Sequence, residues 1–254
     1  MRNLIAKISI SLMFLSMSAS AICRADSPQS TAAMQSMSVA ELEKAGDECR
    51  AQKDYEQAIK YFNEGLRKER KNAKLYNKRG LAELKSNQVK EARSDFLKAA
   101  KYDAKYPEAL NNVGVAYYLD KQYGDAAKYF KKAVALDEMR ASFHVNLGVA
   151  WFAQDEIDRA IREYTRALEL DPEILQRESR VGVAAQITSS EQRAKHEYMM
   201  AKIYARMGDV ENCFACLRRA KENGYGNLDR VYKDEEFASI RQDARLAEIV
   251  PPPK

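Results

Sequence analysis

The chain has 254 residues, 31% of them charged, with 42 basic against 37 acidic side chains and a net charge of +5. So small an excess excludes a surface given over to nucleic acid. Only two histidines are present, and no Gly-rich phosphate loop, nucleophile elbow or metalloprotease helix, so no catalytic residue, metal site or cofactor is expected.

The first 25 residues stand apart. Arg2 and Lys7 precede an uncharged apolar run, Ile8 to Ile22, which is short for a bilayer span but suits a signal-peptide core. Cleavage is expected after Ala21 or Ala25, giving a periplasmic or extracellular chain with no membrane insertion afterwards. Lipid attachment at Cys23 is disfavoured because Ile22 is large. Cleavage after Ala25 removes three of the 42 basic residues and no acid, so the mature chain sits near +2. Residues 26–38 read as a flexible leader, and Ser38 followed by Glu41 is a capping-box start signal.

From residue 39 a 34-residue clock runs. Gly46, Gly80, Gly114 and Gly148 recur at that interval, and so do Ala58, Ala92, Ala126 and Ala160. A small residue inside a helix is read here as a place where another backbone comes close, so each pair marks the crossing of a helical hairpin. Phe62, Phe96, Phe130 and Tyr164 keep the same beat, as do Gly65, Ala99, Ala133 and Ala167. Tyr123, Ala126, Ala127, Phe130, Ala133 and Val134 form the apolar stripe of an amphipathic helix. The period divides the chain into stacked copies at 39–72, 73–106, 107–140 and 141–174. The cations Arg67, Lys68, Arg70, Lys71 and Lys74 are read as favourable charges near a helix C-terminus.

After Ile174 the clock breaks. Residues 175–193 read as an inserted loop or loosely packed segment, and a divergent fifth copy follows at 194–227, with Ala201, Cys213, Leu217 and Ala220 on the beats. Ser189 and Gln192 give a second capping signal, and Asn223-Gly224 a helix stop. Residues 228–254 read as a helical cap and tail, with Val231, Phe237, Ile240, Leu246 and Ile249 covering the last apolar face.

At these residues the chain resembles the tetratricopeptide repeat family; Asn-Leu-Gly-Val-Ala-Trp (146–151) and Ala-Leu-Glu-Leu-Asp-Pro (167–172) are close matches. The family's proline after the second helix survives only as Pro172, with Arg70, Ala104 and Glu138 elsewhere. The resemblance implies an all-α, right-handed α-solenoid of four repeats, a divergent fifth and a helical cap. It also implies a non-catalytic protein–protein interaction scaffold or adaptor, here expected in a bacterial cell envelope.

In such a stack the first helix of each hairpin lines the concave side. Sixth positions read Lys78, Asn112 and Asn146. In several family members, asparagines placed this way form a ladder that bonds a peptide backbone, so Asn112 and Asn146 are implied rungs, with Asn77 or Lys78 a third. The bland alternative is that these amides serve local backbone. Leu81, Val115, Tyr118, Val149 and Phe152 would give the groove apolar walls, part of them packing between hairpins. Glu43 and Asp47 against Lys195, Lys202 and Arg206 would make it acidic at one end and basic at the other. Glu43 and Asp47 also stand where carboxylate-clamp members of the family carry Lys and Asn, so that activity is not expected.

Two rival readings stay open: a structural subunit joined through its convex face or ends, and a thiol-redox protein using Cys213 and Cys216. The latter pair lies mid-helix without Gly or Pro, and Cys213 fills an alanine slot, so a small buried residue explains it; a Cys213–Cys216 disulfide is the alternative. Cys49 and Cys213, in the first and fifth copies, are too far apart to pair. His144 holds a packing position that is Leu or Tyr in other copies.

Overall fold

The computed structural model describes residues 33–175 and 189–252. The signal peptide, residues 26–32 of the leader and residues 176–188 of the insertion lie outside them. Among the described residues every regular element is helical. The chain divides into two compact units, 1–71 and 72–254. The first holds one hairpin, α1 (Val39–Ala51) and α2 (Tyr55–Lys68). The second holds α3 (Ala73–Lys85) with α4 (Val89–Tyr102), α5 (Pro107–Leu119) with α6 (Tyr123–Leu136), and α7 (Ala141–Ala153) with α8 (Ile157–Leu170). It continues with α9 (Ser190–Met207), α10 (Val210–Glu222), two 3-10 turns (Leu228–Tyr232 and Glu235–Ile240) and α11 (Ala244–Ile249).

The glycine beat has a different cause from the one the spacing suggested. It is an aromatic ring, not a crossing backbone, that occupies the room left by each glycine. A Cβ on Gly46 would stand 2.5 Å from Phe62, one on Gly80 2.6 Å from Phe96, one on Gly114 2.6 Å from Phe130, and one on Gly148 3.0 Å from Tyr164. Each of these four hairpins is thus pinned by a ring seated where a side chain is missing. All four rings are fully buried, as are Ala58, Ala92, Ala126 and Ala160. Burying a ring of this size stabilises by roughly 2–3 kcal/mol, so the pins dominate each hairpin's core.

A second beat was silent in the sequence. Lys53, Asn87, Lys121 and Asp155 all take left-handed backbone (φ 60–64°), and each turn closes with a bond from the next residue's N–H to a carbonyl five residues back, such as Asp54 to Cys49 and Gln122 to Tyr117. In the fifth copy Gly208 (φ 76°) fills that place, and Asp209 bonds Tyr204 in the same way. Non-glycine residues adopt this conformation at some cost, which the repeated hydrogen bonds offset.

The helix starts follow the capping signals. Ser38 and Glu41 form the full capping box, and the Ser189 side chain accepts from the Gln192 N–H. Helix α9 therefore begins at Ser190, four residues inside the segment assigned to the insertion. Gly224 takes left-handed backbone (φ 84°) just beyond α10. Val231, Phe237, Ile240, Leu246 and Ile249 are all buried at the C-terminal end. They give α9 and α10 the neighbour that a terminal hairpin otherwise lacks. Polar ties hold this cap: the Tyr198 hydroxyl donates to Asp234 (3.0 Å), Lys202 pairs with Asp234 (2.6 Å), and the Tyr232 hydroxyl donates to the Val250 carbonyl (2.6 Å).

Candidate interaction surface

In the second unit the first helices of successive hairpins, α3, α5 and α7, pack on one another along one side, while α4, α6 and α8 form the opposite face. The expected groove residues all lie on those first helices, but at different depths. Lys78, Leu81, Asn112 and Val115 are half-buried. Asn77, Tyr118, Asn146, Val149 and Phe152 are buried. Tyr118 packs on the Tyr123 ring at 5.0 Å, and burial pushes its hydroxyl up to about 12. Phe152 meets the His196 ring edge-on at 5.2 Å. Ten of the thirteen residues of α7 are buried, so among α3, α5 and α7 the open surface concentrates on α3 and α5.

The amides form cross-hairpin pairs. Asn112 Nδ2 donates to Asn77 Oδ1 at 2.9 Å, and Asn77 Nδ2 donates to the Tyr106 hydroxyl at 3.0 Å. One hairpin on, Asn146 Nδ2 donates to Asn111 Oδ1, again at 2.9 Å. A sixth-position amide thus bonds the fifth-position amide of the preceding hairpin at both junctions. Asn111 is the member the sequence reading missed. Asn112 differs from the other three in being only half-buried; among the described residues no group donates to its carbonyl oxygen, which is equally true of buried Asn146. An amide oxygen in that state can accept from a peptide N–H.

The expected basic end is a correction. Lys195 pairs with Asp155, and Lys202 is held between Asp234 at 2.6 Å and Glu236 at 3.6 Å. Two of the three cations are therefore committed to the chain's own acids and offer little net charge to a ligand.

A polar core lies beneath α3. Arg79 donates to both oxygens of Asp95, at 2.5 and 2.8 Å, with Glu83 at 3.7 Å. Glu83 Oε2 is buried without a hydrogen-bond partner. Burial, with the charge of Asp95 beside it, pushes the Glu83 carboxyl up to about 7. In the fourth hairpin buried His144 faces two acceptors, Glu163 Oε2 at 2.7 Å and the Glu138 carbonyl at 3.0 Å. Satisfying both needs the protonated ring, and the Glu163 hydrogen bond raises its pKa accordingly. His196, half-buried and packed edge-on against the Phe152 and Tyr164 rings, is pushed down to about 4 by desolvation.

Cys213 and Cys216 are buried free thiols, and burial raises both, Cys213 to about 12. A buried thiol kept protonated is a weak nucleophile, so the thiol-redox reading gains nothing from this site. Cys49 is fully buried in the first hairpin. Among the described residues no group of His, Cys, Asp and Glu could hold a metal ion, and no helix is long and apolar enough to cross a membrane.

Comparison with known proteins places this geometry. A tetratricopeptide repeat profile matches residues 44–109, 77–138 and 121–173, and a second matches 198–223. No curated protein matches the chain. Among solved structures, MamA from Desulfovibrio magneticus RS-1 is 18% identical with a TM-score of 0.53, covering 74% of this chain and 96% of that one. A further crystal structure of MamA is 19% identical with a TM-score of 0.52, covering 71% and 94%. YrrB, described as a TPR protein with an unusual peptide-binding site, is 18% identical with a TM-score of 0.51, covering 74% and 87%. At such identities these structures speak for the fold alone. The repeat profiles, the hairpin order and the glycine–ring pins agree, and the chain belongs to the tetratricopeptide repeat family, whose hairpin stacks are protein–protein interaction scaffolds.

Proposed function

We propose that the chain is an exported adaptor that binds an extended protein segment along α3 and α5, between Lys78, Leu81, Asn112 and Val115. The observation that carries this reading is Asn112, a half-buried residue whose carbonyl oxygen accepts no hydrogen bond among the described residues while its NH2 is fixed by Asn77. A pre-oriented acceptor beside the apolar Leu81 and Val115 suits an extended chain that needs one backbone bond and a place for an apolar side chain. The peptide-binding site described for YrrB supports the same use of this fold. Export is supported by the signal-like first 25 residues, a short uncharged apolar run behind Arg2 and Lys7.

The test is site-specific photocrosslinking in cells, with the crosslinker at Leu81 or Val115 and, as a control, at Ala135 on the opposite face. Discrete adducts from the first two positions are expected, reduced about tenfold by Asn112→Ala, which removes about one hydrogen bond's worth of binding. Equal labelling from Ala135, or adducts indifferent to Asn112→Ala, would sink the reading. Asn146 is unsuitable for this purpose, because it is buried and tied to Asn111, and replacing it would loosen the stack itself.

A further inference from the structure

We propose that the opposite face of the same stack, formed by α4, α6 and α8, docks on an anionic membrane surface. Lys98, Lys132 and Arg166 recur there at 34-residue spacing, and Lys128, Lys131 and Arg162 fill the band between them. Lys128, Lys131, Lys132 and Arg162 are exposed.

The acids on these helices do not neutralise the band. Glu91, Asp125 and Asp158 stand in the first turns, and Asp125 and Asp158 lie one turn before Lys128 and Arg162 without forming an ion pair with them among the described residues. Asp95 is buried and bonded to Arg79, and Glu163 is bonded to His144. Glu169 is the acid paired within the band, 3.3 Å from Arg166. Among the described residues Lys128, Lys131 and Arg162 have no ion-pair partner. Apolar groups border the same region. Of the large hydrophobics exposed among the described residues, Tyr102, Leu136 and Met139 sit at or just beyond the C-terminal ends of α4 and α6.

The layout favours a surface over a strand. Helices rise about 1.5 Å per residue and packed neighbours lie about 8–10 Å apart, so cations on three helices spread in two dimensions over tens of ångströms. An extended acidic peptide can follow one row of such a band; a layer of lipid headgroups meets all of it at once. With no opposing wall, nothing desolvates a bound chain there, and diffuse attraction between a polybasic face and an anionic leaflet needs no pocket. The exposed Leu136 and Met139 add an apolar contribution at the headgroup boundary.

The experiment is vesicle co-sedimentation of the full chain, with phosphatidylcholine vesicles and with vesicles of equal parts phosphatidylcholine and phosphatidylglycerol. The readout is the excess binding to the anionic vesicles, which cancels any neutral-lipid affinity of the apolar N-terminal run. The expected result is an excess that vanishes at about 1 M salt, where the Debye length is about 3 Å. Charge reversal in K128E/K131E/R162E should reduce it at least tenfold, whereas K128R/K131R/R162K should retain it, and an unchanged helical melting curve shows that the reversed variant still folds. Absence of an anionic excess overturns the proposal, as does an excess that survives charge reversal. Tighter binding to soluble polyglutamate or to a DNA fragment than to the anionic vesicles also overturns it, in favour of an acidic protein or a nucleic acid.

Discussion

The second and third hairpins share one backbone plan and fill three of its positions with opposite chemistry. Seventh, eleventh and twenty-third positions are Arg79, Glu83 and Asp95 in the α3/α4 hairpin, but Val113, Tyr117 and Tyr129 in α5/α6. In the first, the three side chains form an ionic cluster around a buried carboxyl. In the second, the two tyrosine rings stack at 5.4 Å, with the Arg93 guanidinium 4.9 Å from the Tyr117 ring centre. The small and aromatic beats are identical in both. The difference teaches that the beats set the hairpin geometry, while the positions between them decide how each hairpin responds to substitution and to pH.

The sharpest way to break this comparison is to exchange the two fillings. Arg79→Val alone leaves Asp95 buried without its bidentate partner beside the unpaired Glu83 carboxyl, and should cost about 3–5 kcal/mol in urea unfolding. The full exchange R79V/E83Y/D95Y removes all three ionisable groups and installs the neighbouring hairpin's set. It should be neutral, or stabilising by up to about 4 kcal/mol. A triple variant as unstable as the single one would show that the ionic cluster is specific to its hairpin, and that the shared plan does not make the fillings interchangeable.

Acidity should separate the hairpins next. The folded Glu83 carboxyl is raised from 4.5 to about 7, so its contribution to stability is fully present below about 4.5 and is lost as pH rises through about 7. The shift corresponds to roughly 3 kcal/mol. The stability difference between wild type and Glu83→Gln should therefore shrink or reverse by that amount between pH 4.5 and 7, and then level off. His144 has the same sign, since its raised pKa gives stability below 6.5 that disappears at higher pH. His196 has the opposite sign: it is stable as the neutral ring, and its contribution is lost as pH falls from 6.5 towards about 4. A pH-independent gap between wild type and Glu83→Gln would remove the buried carboxyl from the account.

How much of this was legible depended on what each position must satisfy. The glycine and aromatic beats were readable as a period, because sequence records residue size directly, but their pairing was not: the spacing pointed to a crossing backbone where the Phe62 and Phe130 rings fill the room beside Gly46 and Gly114. The left-handed turn positions were not readable. Lys53, Lys121 and Asp155 take that conformation because the flanking helices impose it, not because their side chains prefer it. Asn111 escaped for a geometric reason: its bond to Asn146 crosses a hairpin junction at a separation of 35, one off the period that organised the reading. The fates of Lys195 and Lys202 depend on Asp155 and on the cap acids Asp234 and Glu236, which no spacing rule connects to them. The burial of Val149 and Phe152, against the half-exposure of Val115, likewise reflects neighbours rather than register.

The subtlest prediction returns to the beats, where the hairpins should behave alike except in one respect. At Gly80 and Gly114 an alanine methyl would stand 2.6 Å from a buried Phe ring, closer than carbon atoms tolerate, so the ring must move within a packed core. Overpacking of that kind costs about 1–3 kcal/mol, against a gain of about 1 kcal/mol from replacing glycine in a helix. Gly80→Ala and Gly114→Ala should therefore each be destabilising by roughly 1 kcal/mol net. At Gly148 the nearest Tyr164 atom is 3.0 Å away, a smaller overlap that a slight ring shift relieves. There the helix-propensity gain should offset the clash, leaving Gly148→Ala within about 0.5 kcal/mol of wild type. Urea midpoints of the three variants, measured side by side, decide the matter. Equal losses at all three sites would mean that the glycines are held by something other than the ring distance.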